Sequence, residues 1–289
     1  MAVTYSPFPW YGGKARVAEP IWQRFGANVR NYVEPFAGSL AVLLARKSPT
    51  GFETVNDLDC YVANFWRALH TDAEAVSLHA DWPVNETDLL ARHDWLVGRE
   101  EFRKRMCTDP DYFDVKIAGW WVWGISQWIG SGWCQTDGRT LKRARPYLTH
   151  GMGVHAKDRV AVDQMRMIAY RLRRVRVCCG EWDRVLGPSP LYAGEGITAV
   201  MLDPPYADTA ERYKDLYSKD SFAVAHRVRD WAIAHGSDKR LRIALCGYDN
   251  EHNMPSDWEC LAWKSGTGAG KNPHRERVWF SPHCLHPGA

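Results

Sequence analysis

Apolar and polar residues alternate in blocks near the start of the chain, and these blocks predict strands that lead into helices. A strand over 31–36 passes through the turn Ala37-Gly38-Ser39 into a helix that starts at Leu40. A second strand ends at Asn56-Asp57, and a helix over Asp59 to Leu69 follows it. Strands that alternate with helices in this way are typical of a doubly wound α/β fold.

The same alternation returns after residue 175 and predicts the rest of the sheet. The expected strands are Val175 to Cys178, Ile197 to Leu202, Leu241 to Cys246, 258–263 and 277–280, with a helix over Ser221 to Ala234. Segments 1–70 and 175–289 are therefore expected to fold together as one α/β domain.

Between residues 71 and 174 this rhythm is absent. Charged helical segments come first, and the segment from Gly119 to Trp133 then holds five of the 15 tryptophans. We expect most of these indoles to pack a small helical core. A helix over 158–174 follows, with an apolar stripe of Val162, Met165, Ile168 and Leu172. The sequence thus predicts an inserted, mostly helical region over 71–174.

Four residues directly after the strand Ile197 to Leu202 carry candidate chemistry: Asp203-Pro204-Pro205-Tyr206. Two consecutive prolines end a strand, because each lacks a backbone N–H and has a fixed φ. A carboxylate, two rigid carbonyls and an aromatic ring therefore stand at the sheet edge where α/β folds bind ligands. A strand-ending turn capped by Asp203 is the alternative without chemistry.

These groups suit methyl transfer to an exocyclic amine of a nucleobase. The amino nitrogen of adenine is a poor nucleophile, because its lone pair is delocalised into the ring. Acceptors against both N–H bonds, Asp203 and the Pro204 carbonyl, free that lone pair and stabilise the positive charge that grows on nitrogen. Tyr206 offers a face for stacking a base that has left the duplex.

A glycine turn and a distant acid point to a nucleoside ligand. Gly38 lets the backbone approach a ligand closely, and Asp57 follows it by 19 positions. An acid at about 20 residues beyond a glycine turn is placed to accept hydrogen bonds from ribose hydroxyls. Because a single glycine of the dinucleotide fingerprint is present, NAD is a poor candidate.

Composition and charge limit the class of protein. The chain is 45% apolar and 25% charged, which is typical of a globular protein. No apolar run is long enough to cross a membrane and no signal peptide is predicted, so we expect a cytoplasmic protein. Eight cysteines without a CxxC pair indicate reduced thiols, and no metal site is predicted.

The charges are unevenly distributed along the chain. Residues 72–114 hold 11 acids against 5 Lys and Arg, whereas residues 139–176 hold 11 Lys and Arg against 2 acids. Such asymmetry indicates a polyanionic partner. The candidate phosphate contacts lie in one polar loop, at Arg139, Lys142, Arg143 and Arg145.

Several motifs of this chain occur in the same order in one family. They are Pro9-Trp10-Tyr11-Gly12-Gly13-Lys14, Glu34-Pro35-Phe36-Ala37-Gly38-Ser39, Asn56-Asp57 and Asp203-Pro204-Pro205-Tyr206, with Glu181-Trp182-Asp183 as a weaker one. The chain resembles the D12-class DNA adenine-N6 methyltransferases, the deoxyadenosine methylase family of bacteria and phages. The resemblance covers about 1–70 and 175–289, and the middle segment sits where the family carries its target-recognition region.

The resemblance implies a Rossmann-like fold that binds S-adenosyl-L-methionine and acts on double-stranded DNA in a bacterial or phage-infected cell. It leaves open a monomer or a dimer, and a cognate restriction nuclease in the same system. Trp10 and Lys14 would contact the cofactor, Asp57 would hold its ribose and Asp183 would reach its adenine. The implied cofactor site comprises Trp10, Tyr11, Lys14, Glu34, Pro35, Phe36, Gly38, Asp57, Asp183 and Asp203. Leu40 stands where many members have a glycine, and we expect it to narrow the pocket.

Three other functions remain open at this point. Cytosine-N4 methylation would use the same acceptors, and the basic insert does not separate RNA adenine methylation from DNA methylation. A DNA-binding relic without catalysis is the third. The Asp that leads the Asp203 motif favours adenine by the resemblance, and the intact Asp203 and Lys14 argue against a relic.

Overall fold

The computed structural model describes residues 6–10, 12–46, 48–49, 51–128, 132–134, 154, 161–205, 222–264 and 274–287. Structural statements below concern these residues. Of their helices, none is both long and apolar enough to cross a membrane.

One mixed sheet forms the centre of the molecule. Its strands are β1 (Val29–Glu34), β2 (Phe52–Asp57), β3 (Val175–Cys179), β4 (Ile197–Leu202), β5 (Leu241–Tyr248), β6 (Glu259–Ala262) and β7 (Glu276–Phe280). They lie in the order β3-β2-β1-β4-β5-β7-β6. The first five are parallel to one another, whereas β7 runs antiparallel to β5 and to β6. The predicted Rossmann-like α/β fold is confirmed.

Helices fill the connections between the strands. They are α1 (Ala18–Phe25), α2 (Ala41–Ala45), α3 (Cys60–Thr71), α4 (Ala73–Ala80), α5 (Glu86–Val97), α6 (Glu100–Thr108), α7 (Val115–Ile125), α8 (Ala161–Leu172), α9 (Pro188–Leu191) and α10 (Phe222–His235). The first strand ends at Glu34, two residues before its predicted end, and α8 ends two residues before its own.

The strand order reverses beside β1. From β1 the chain builds β2 and β3 on one side, and it then returns to place β4 on the other side of β1. Glu34 ends β1 and Asp203 follows β4, and the two strands are in register at Val33 and Val200. Parallel neighbours end at the same sheet edge, so these two acids meet at the topological switch point where α/β folds bind ligands.

Burial explains why β4 and β5 are well defined by the sequence. All eight residues of β5 are buried, and in β4 only Ile197 is partly exposed. Strands with both faces covered are near-continuous apolar runs. Pro204 and Pro205 then end β4 as predicted, because neither can donate to a ladder.

The helices of segment 71–174 pack onto the sheet through α3. Ten consecutive residues of α3, Cys60 to Leu69, are buried, because α7 and α8 cover the side that would otherwise face water. Trp121 of α7 packs against Phe8 and Phe65 in the same hydrophobic cluster as β1 residues. The segment therefore shares its core with the sheet, and its role as a recognition region stays a prediction.

The tryptophan-rich segment packs largely as the sequence indicates. Trp121, Trp123, Trp128 and Trp133 are buried, and Trp120 is half-buried. The Trp133 indole covers Gly124, where an added Cβ would lie 1.9 Å from the ring. The Trp133 Nε1–H also donates to the Trp121 carbonyl at 3.1 Å. The four buried indoles therefore pack in the protein core, as expected.

A buried ion pair attaches α8 to the sheet. Met165, Ile168 and Leu172 of the predicted stripe are buried. Next to them, Arg171 donates from two nitrogens to both carboxylate oxygens of Glu53 on β2, at 2.6 and 2.8 Å. Arg171 is 8% exposed and Glu53 2%. One arginine of the basic segment is therefore a structural residue.

Glu53→Gln is expected to lower the free energy of unfolding by about 3–5 kcal/mol, because it leaves the Arg171 guanidinium buried without a compensating charge. Denaturant unfolding monitored by circular dichroism measures this. The matched control is Glu74→Gln, which removes the exposed partner of Arg166 on the same helix and should leave stability unchanged. Equal effects of the two substitutions would contradict the assignment.

Candidate active site

A cavity of about 670 Å³ opens at the switch point. The ends of the four strands β1 to β4 form its wall, together with α10 and the N-terminal turn, which comprises Trp10 and residues 12–14. A volume between about 300 and 1,000 Å³ is usual for sites that enclose a small molecule or cofactor. The cavity therefore has the size and the place in the fold of a ligand site.

An ion pair joins the N-terminal turn to the end of β4 inside this cavity. Lys14 Nζ lies 2.8 Å from Asp203 Oδ1 and also donates to the Gly12 carbonyl at 2.7 Å. Lys14 is 4% exposed and Asp203 24%. The Trp263 ring lies 5.8 Å from the same ammonium, within cation–π range. Two motifs 189 positions apart in the sequence thus meet through one contact.

The pair sets the protonation of both groups. Burial alone would lower the pKa of Lys14, but the charge of Asp203, with help from Glu276, raises it above its usual value, so the ammonium stays charged. Burial raises the pKa of Asp203, and the charge and hydrogen bond of Lys14 oppose that rise. Lys14 thereby favours the ionised form of Asp203, the form that accepts hydrogen bonds.

The glycine turn after β1 needs glycine at residue 38. Gly38 has φ +44°, and a Cβ there would lie 2.4 Å from Trp10 Nε1. The buried Trp66 of α3 donates its Nε1–H to the Gly38 carbonyl at 2.9 Å and so holds the turn against α3. Leu40 also has a positive φ of 54°. Its side chain is fully buried in the core, so the expectation that Leu40 narrows the pocket is wrong.

Asp57 is held at the end of β2 by two backbone donors. The Gly38 N–H donates to its Oδ2 at 2.9 Å, and the Asp59 N–H donates to its Oδ1 at 2.8 Å. Burial, with the charge of Asp59, raises the pKa of Asp57 to about 7 despite these bonds. Hydroxyl donors of a ligand would favour the ionised form, and each oxygen keeps a lone pair to accept them.

Glu34 lies between these two aspartates. It is buried, and the Tyr32 hydroxyl donates to its Oε2 at 2.9 Å. Burial raises the pKa of Glu34 well above its usual value; the Tyr32 hydrogen bond opposes this, while the charges of Asp203 and Asp57 add to it. Three carboxyl groups therefore converge on one cavity, and a cationic ligand would relieve their mutual repulsion.

The end of β3 completes the wall on the side of β2. Asn56 is fully buried, and its Nδ2 donates to the Pro35 carbonyl at 3.1 Å and to the Gly180 carbonyl at 2.9 Å. It thus ties together the ends of three strands. Trp182 stacks on Phe36, with ring centroids 6.3 Å apart. The structure brings Phe36 and Asp183 to the same wall as Asp57.

One residue of the cavity wall, Arg227, belongs to none of the sequence motifs. Arg227 of α10 lies 3.5 Å from Asp183, and its guanidinium is 5.6 Å from the Trp182 ring. Both charged side chains are more than half exposed, which places them at the mouth of the cavity. An arginine on an exposed helix face has no local pattern that separates it from a solvated residue, so the sequence could not single it out.

Most of the predicted site residues line the cavity, and some lie beyond the described part of the chain. Those in the wall are Trp10, Lys14, Glu34, Pro35, Phe36, Gly38, Asp57, Asp183, Asp203 and Pro205. Pro204 is buried next to Asp203. Outside the described residues lie Tyr11, Tyr206, Arg139, Lys142, Arg143 and Arg145.

Comparison with known families gives the class of the protein. The family model described as D12 class N6 adenine-specific DNA methyltransferase matches residues 10–106. This part of the chain is similar to the D12 class. This family is one of enzymes that methylate adenine in DNA, so the match, which covers about a third of the chain, indicates a methyltransferase that uses a methyl donor. The resemblance seen in the motifs is confirmed over the matched segment, and no curated protein matches the chain.

The matched segment covers only one side of the candidate site. It contains Trp10, Lys14, Glu34, Gly38 and Asp57, and it ends about one hundred residues before Asp203. The Asp203 motif is therefore linked to the D12 segment by geometry, through its contact with Lys14, rather than by the match itself.

Gly38→Ala is expected to weaken the binding of a nucleoside ligand at least about tenfold, since a non-glycine residue with positive φ costs roughly 1–3 kcal/mol and the new methyl would displace the Trp10 indole. Calorimetric titration with the methyl donor measures this. Gly187→Ala is the control, because a Cβ there meets nothing within 4 Å. Unchanged affinity in Gly38→Ala would separate the turn from the ligand site.

Proposed function

We propose that this enzyme transfers a methyl group from S-adenosyl-L-methionine to N6 of adenine in double-stranded DNA, and that the target base leaves the duplex to reach it. The observation that carries the proposal is the 2.8 Å contact between Lys14 and Asp203 in the cavity at the switch point. It joins the segment matched to the D12 class to the Asp-Pro-Pro motif that can activate an amine.

The residues present fit the donor that we propose. Asp57 has the acceptor atoms for ribose hydroxyls, and the Gly38 turn gives the backbone close access. Phe36, Trp182 and Trp10 supply aromatic faces, and the three carboxyl groups favour a cation. S-adenosyl-L-methionine supplies a methyl group that its sulfonium has already activated, so the protein needs to position and orient rather than to activate the donor.

Asp203 and Pro204 form the acceptor pair for the adenine amine. Lys14 occupies Oδ1 of Asp203, which leaves Oδ2 to accept one N–H, and the Pro204 carbonyl accepts the other. Acceptors fixed in advance stabilise the positive charge that grows on nitrogen with little reorganisation. The prolines bring no backbone N–H that would compete for the site.

Asp203 is recessed, and this supports base flipping. Its side chain is 24% exposed and lines a cavity whose wall is built from four strand ends. A base stacked in a duplex cannot place its amine there, so the nucleotide must rotate out of the helix. We assign Tyr206 to stack on the extruded base.

Cations of the middle segment are assigned to the DNA phosphates. In α8, Arg171 is paired with Glu53 and Arg166 with Glu74, so these two already have carboxylate partners. The loop cations Arg139, Lys142, Arg143 and Arg145 remain our candidates for the phosphate contacts. Arg227, at the mouth of the cavity, is the described cation best placed to meet a phosphate next to the extruded nucleotide.

Incubation of the enzyme with radiolabelled S-adenosyl-L-methionine and duplex DNA, followed by nucleoside analysis, is expected to place label in N6-methyladenine. Asp203→Asn should lower kcat by about 100-fold or more, because the amide loses the charge that stabilises the reacting amine. Asp238→Asn is the matched control, since Asp238 is a similarly exposed aspartate paired with Arg240. Label in methylcytosine or in protein would refute the proposal.

Removal of the Lys14 charge should alter the pH profile of the reaction. Lys14 opposes the burial-driven rise in the pKa of Asp203, so Lys14→Met is expected to raise that pKa further and to move the acid limb of kcat/KM to higher pH. Activity in the variant should then recover in part as the pH rises. Lys239→Met, on an exposed lysine, serves as the control. An acid limb that stays in place would show that another group sets it.

A further inference from the structure

Three cysteines from distant parts of the chain meet beside the candidate active site. Cys60 is the first residue of α3, Cys107 lies in the last turn of α6 and Cys179 is the last residue of β3. The Cys60 Sγ lies 3.9 Å from the Cys107 Sγ and 3.8 Å from the Cys179 Sγ. All three sulfur atoms lie within 4.8 Å of one another.

We propose that Cys60, Cys107 and Cys179 bind one thiophilic divalent ion of the zinc class. With metal–sulfur bonds of about 2.3 Å, two sulfurs of a tetrahedral site lie about 3.8 Å apart. Two of the three sulfur pairs already have this spacing, so the ion requires only a small movement of the third pair. Thiolate ligands select soft or borderline ions such as zinc over magnesium and calcium.

Arg67 holds the three elements that carry the cysteines. It lies on α3, two turns after Cys60 on the same helix face. Its Nε donates to the Val177 carbonyl of β3 at 3.1 Å, and its Nη1 donates to the Met106 carbonyl of α6 at 3.3 Å. These carbonyls belong to residues next to or near Cys179 and Cys107 in the sequence. The arrangement of the sulfurs is therefore fixed before any ion arrives.

The charges balance in this site. Each thiol gives up its proton to water when its sulfur binds the ion, so three protons leave and three thiolates with one divalent ion carry a charge of −1. The guanidinium of Arg67, which contacts the carbonyls of Val177 and Met106, carries the positive charge that offsets it. Cys107 is exposed, which gives the ion an entry path and leaves the fourth position to water.

The proposed metal site is next to the ligand cavity and separate from it. Cys60 follows Asp59 and Cys179 precedes Gly180, and both of these neighbours line the cavity. A bound ion would join the start of α3 to the end of β3, the two segments on either side of Asp57. The inference does not depend on the proposed methyl transfer, because binding of the ion is measured directly.

The test is a titration of the reduced full-length chain with Cd²⁺, followed by the ultraviolet thiolate-to-cadmium charge-transfer band. We expect one ion per chain, release of protons on binding, and displacement of Cd²⁺ by Zn²⁺. Cys107→Ser should weaken binding about 100-fold or more, since even loss of an outer-shell partner costs 10–100-fold in metal affinity. Cys107 is exposed, so this variant is expected to fold even where Cys60→Ser does not.

Two matched controls make the outcome decisive. Cys260→Ser changes an exposed cysteine on β6. Cys178→Ser changes the neighbour of Cys179, which packs against a separate hydrophobic cluster that includes Val33 and Trp182. Both should keep the affinity and the band of the unchanged chain. If Cys107→Ser binds Cd²⁺ as tightly as these controls, or if the unchanged chain shows no charge-transfer band, the proposed site does not exist.

Discussion

A buried lysine and a partly buried aspartate, paired at the carboxyl end of the sheet, hold the candidate site in one arrangement. Loss of one partner from a buried pair costs about 3–5 kcal/mol, and somewhat less here because Asp203 is 24% exposed. That cost fixes the N-terminal turn against β4, although the turn belongs to no strand or helix. The position of Trp10 depends on this turn, because the turn places the Trp10 indole over Gly38. The part of the cavity wall before β1 and the part after β4 are therefore joined directly by this ion pair.

The order of the strands decides which residues can meet at that pair. Because β4 returns to the free side of β1, Glu34 and Asp203 become neighbours, while Asp57 lies one strand away on the other side. The helical segment between β2 and β3 does not interrupt this arrangement, since it packs on α3 and extends the same core. Asn56 then joins the ends of β1, β2 and β3 with a single side-chain amide. The shape of the cavity thus follows from the topology, and its polarity follows from the strand-end residues.

The sequence predicts features whose physical cause is local. The sequence delimits the strand Ile197 to Leu202 correctly, because a buried apolar run ends at two prolines. The predicted strand 258–263 is one residue too long at each end compared with β6, where burial alternates along the strand. The neighbourhood of Gly38 and Asp57 follows from a strand-end rule, and the structure joins them at 2.9 Å. Arg227, the inward turn of Leu40 and the meeting of Cys60, Cys107 and Cys179 have non-local causes. No spacing in the chain encodes them, since each depends on which elements pack together.

The charge in the cavity bears on how the proposed reaction would be catalysed. Glu34, Asp57 and Asp203 face one lysine, and burial raises the pKa of each acid. A ligand that brings a positive charge lowers the repulsion among them and favours their ionised forms. A sulfonium donor brings such a charge. Its demethylated product does not, whereas the amine that accepts the methyl group becomes positive next to Asp203. In the proposed reaction the acids would hold the charged donor and release its uncharged product, and Asp203 would stabilise the positive charge that develops on the amine only in the transition state. This second interaction is the differential binding that catalysis requires.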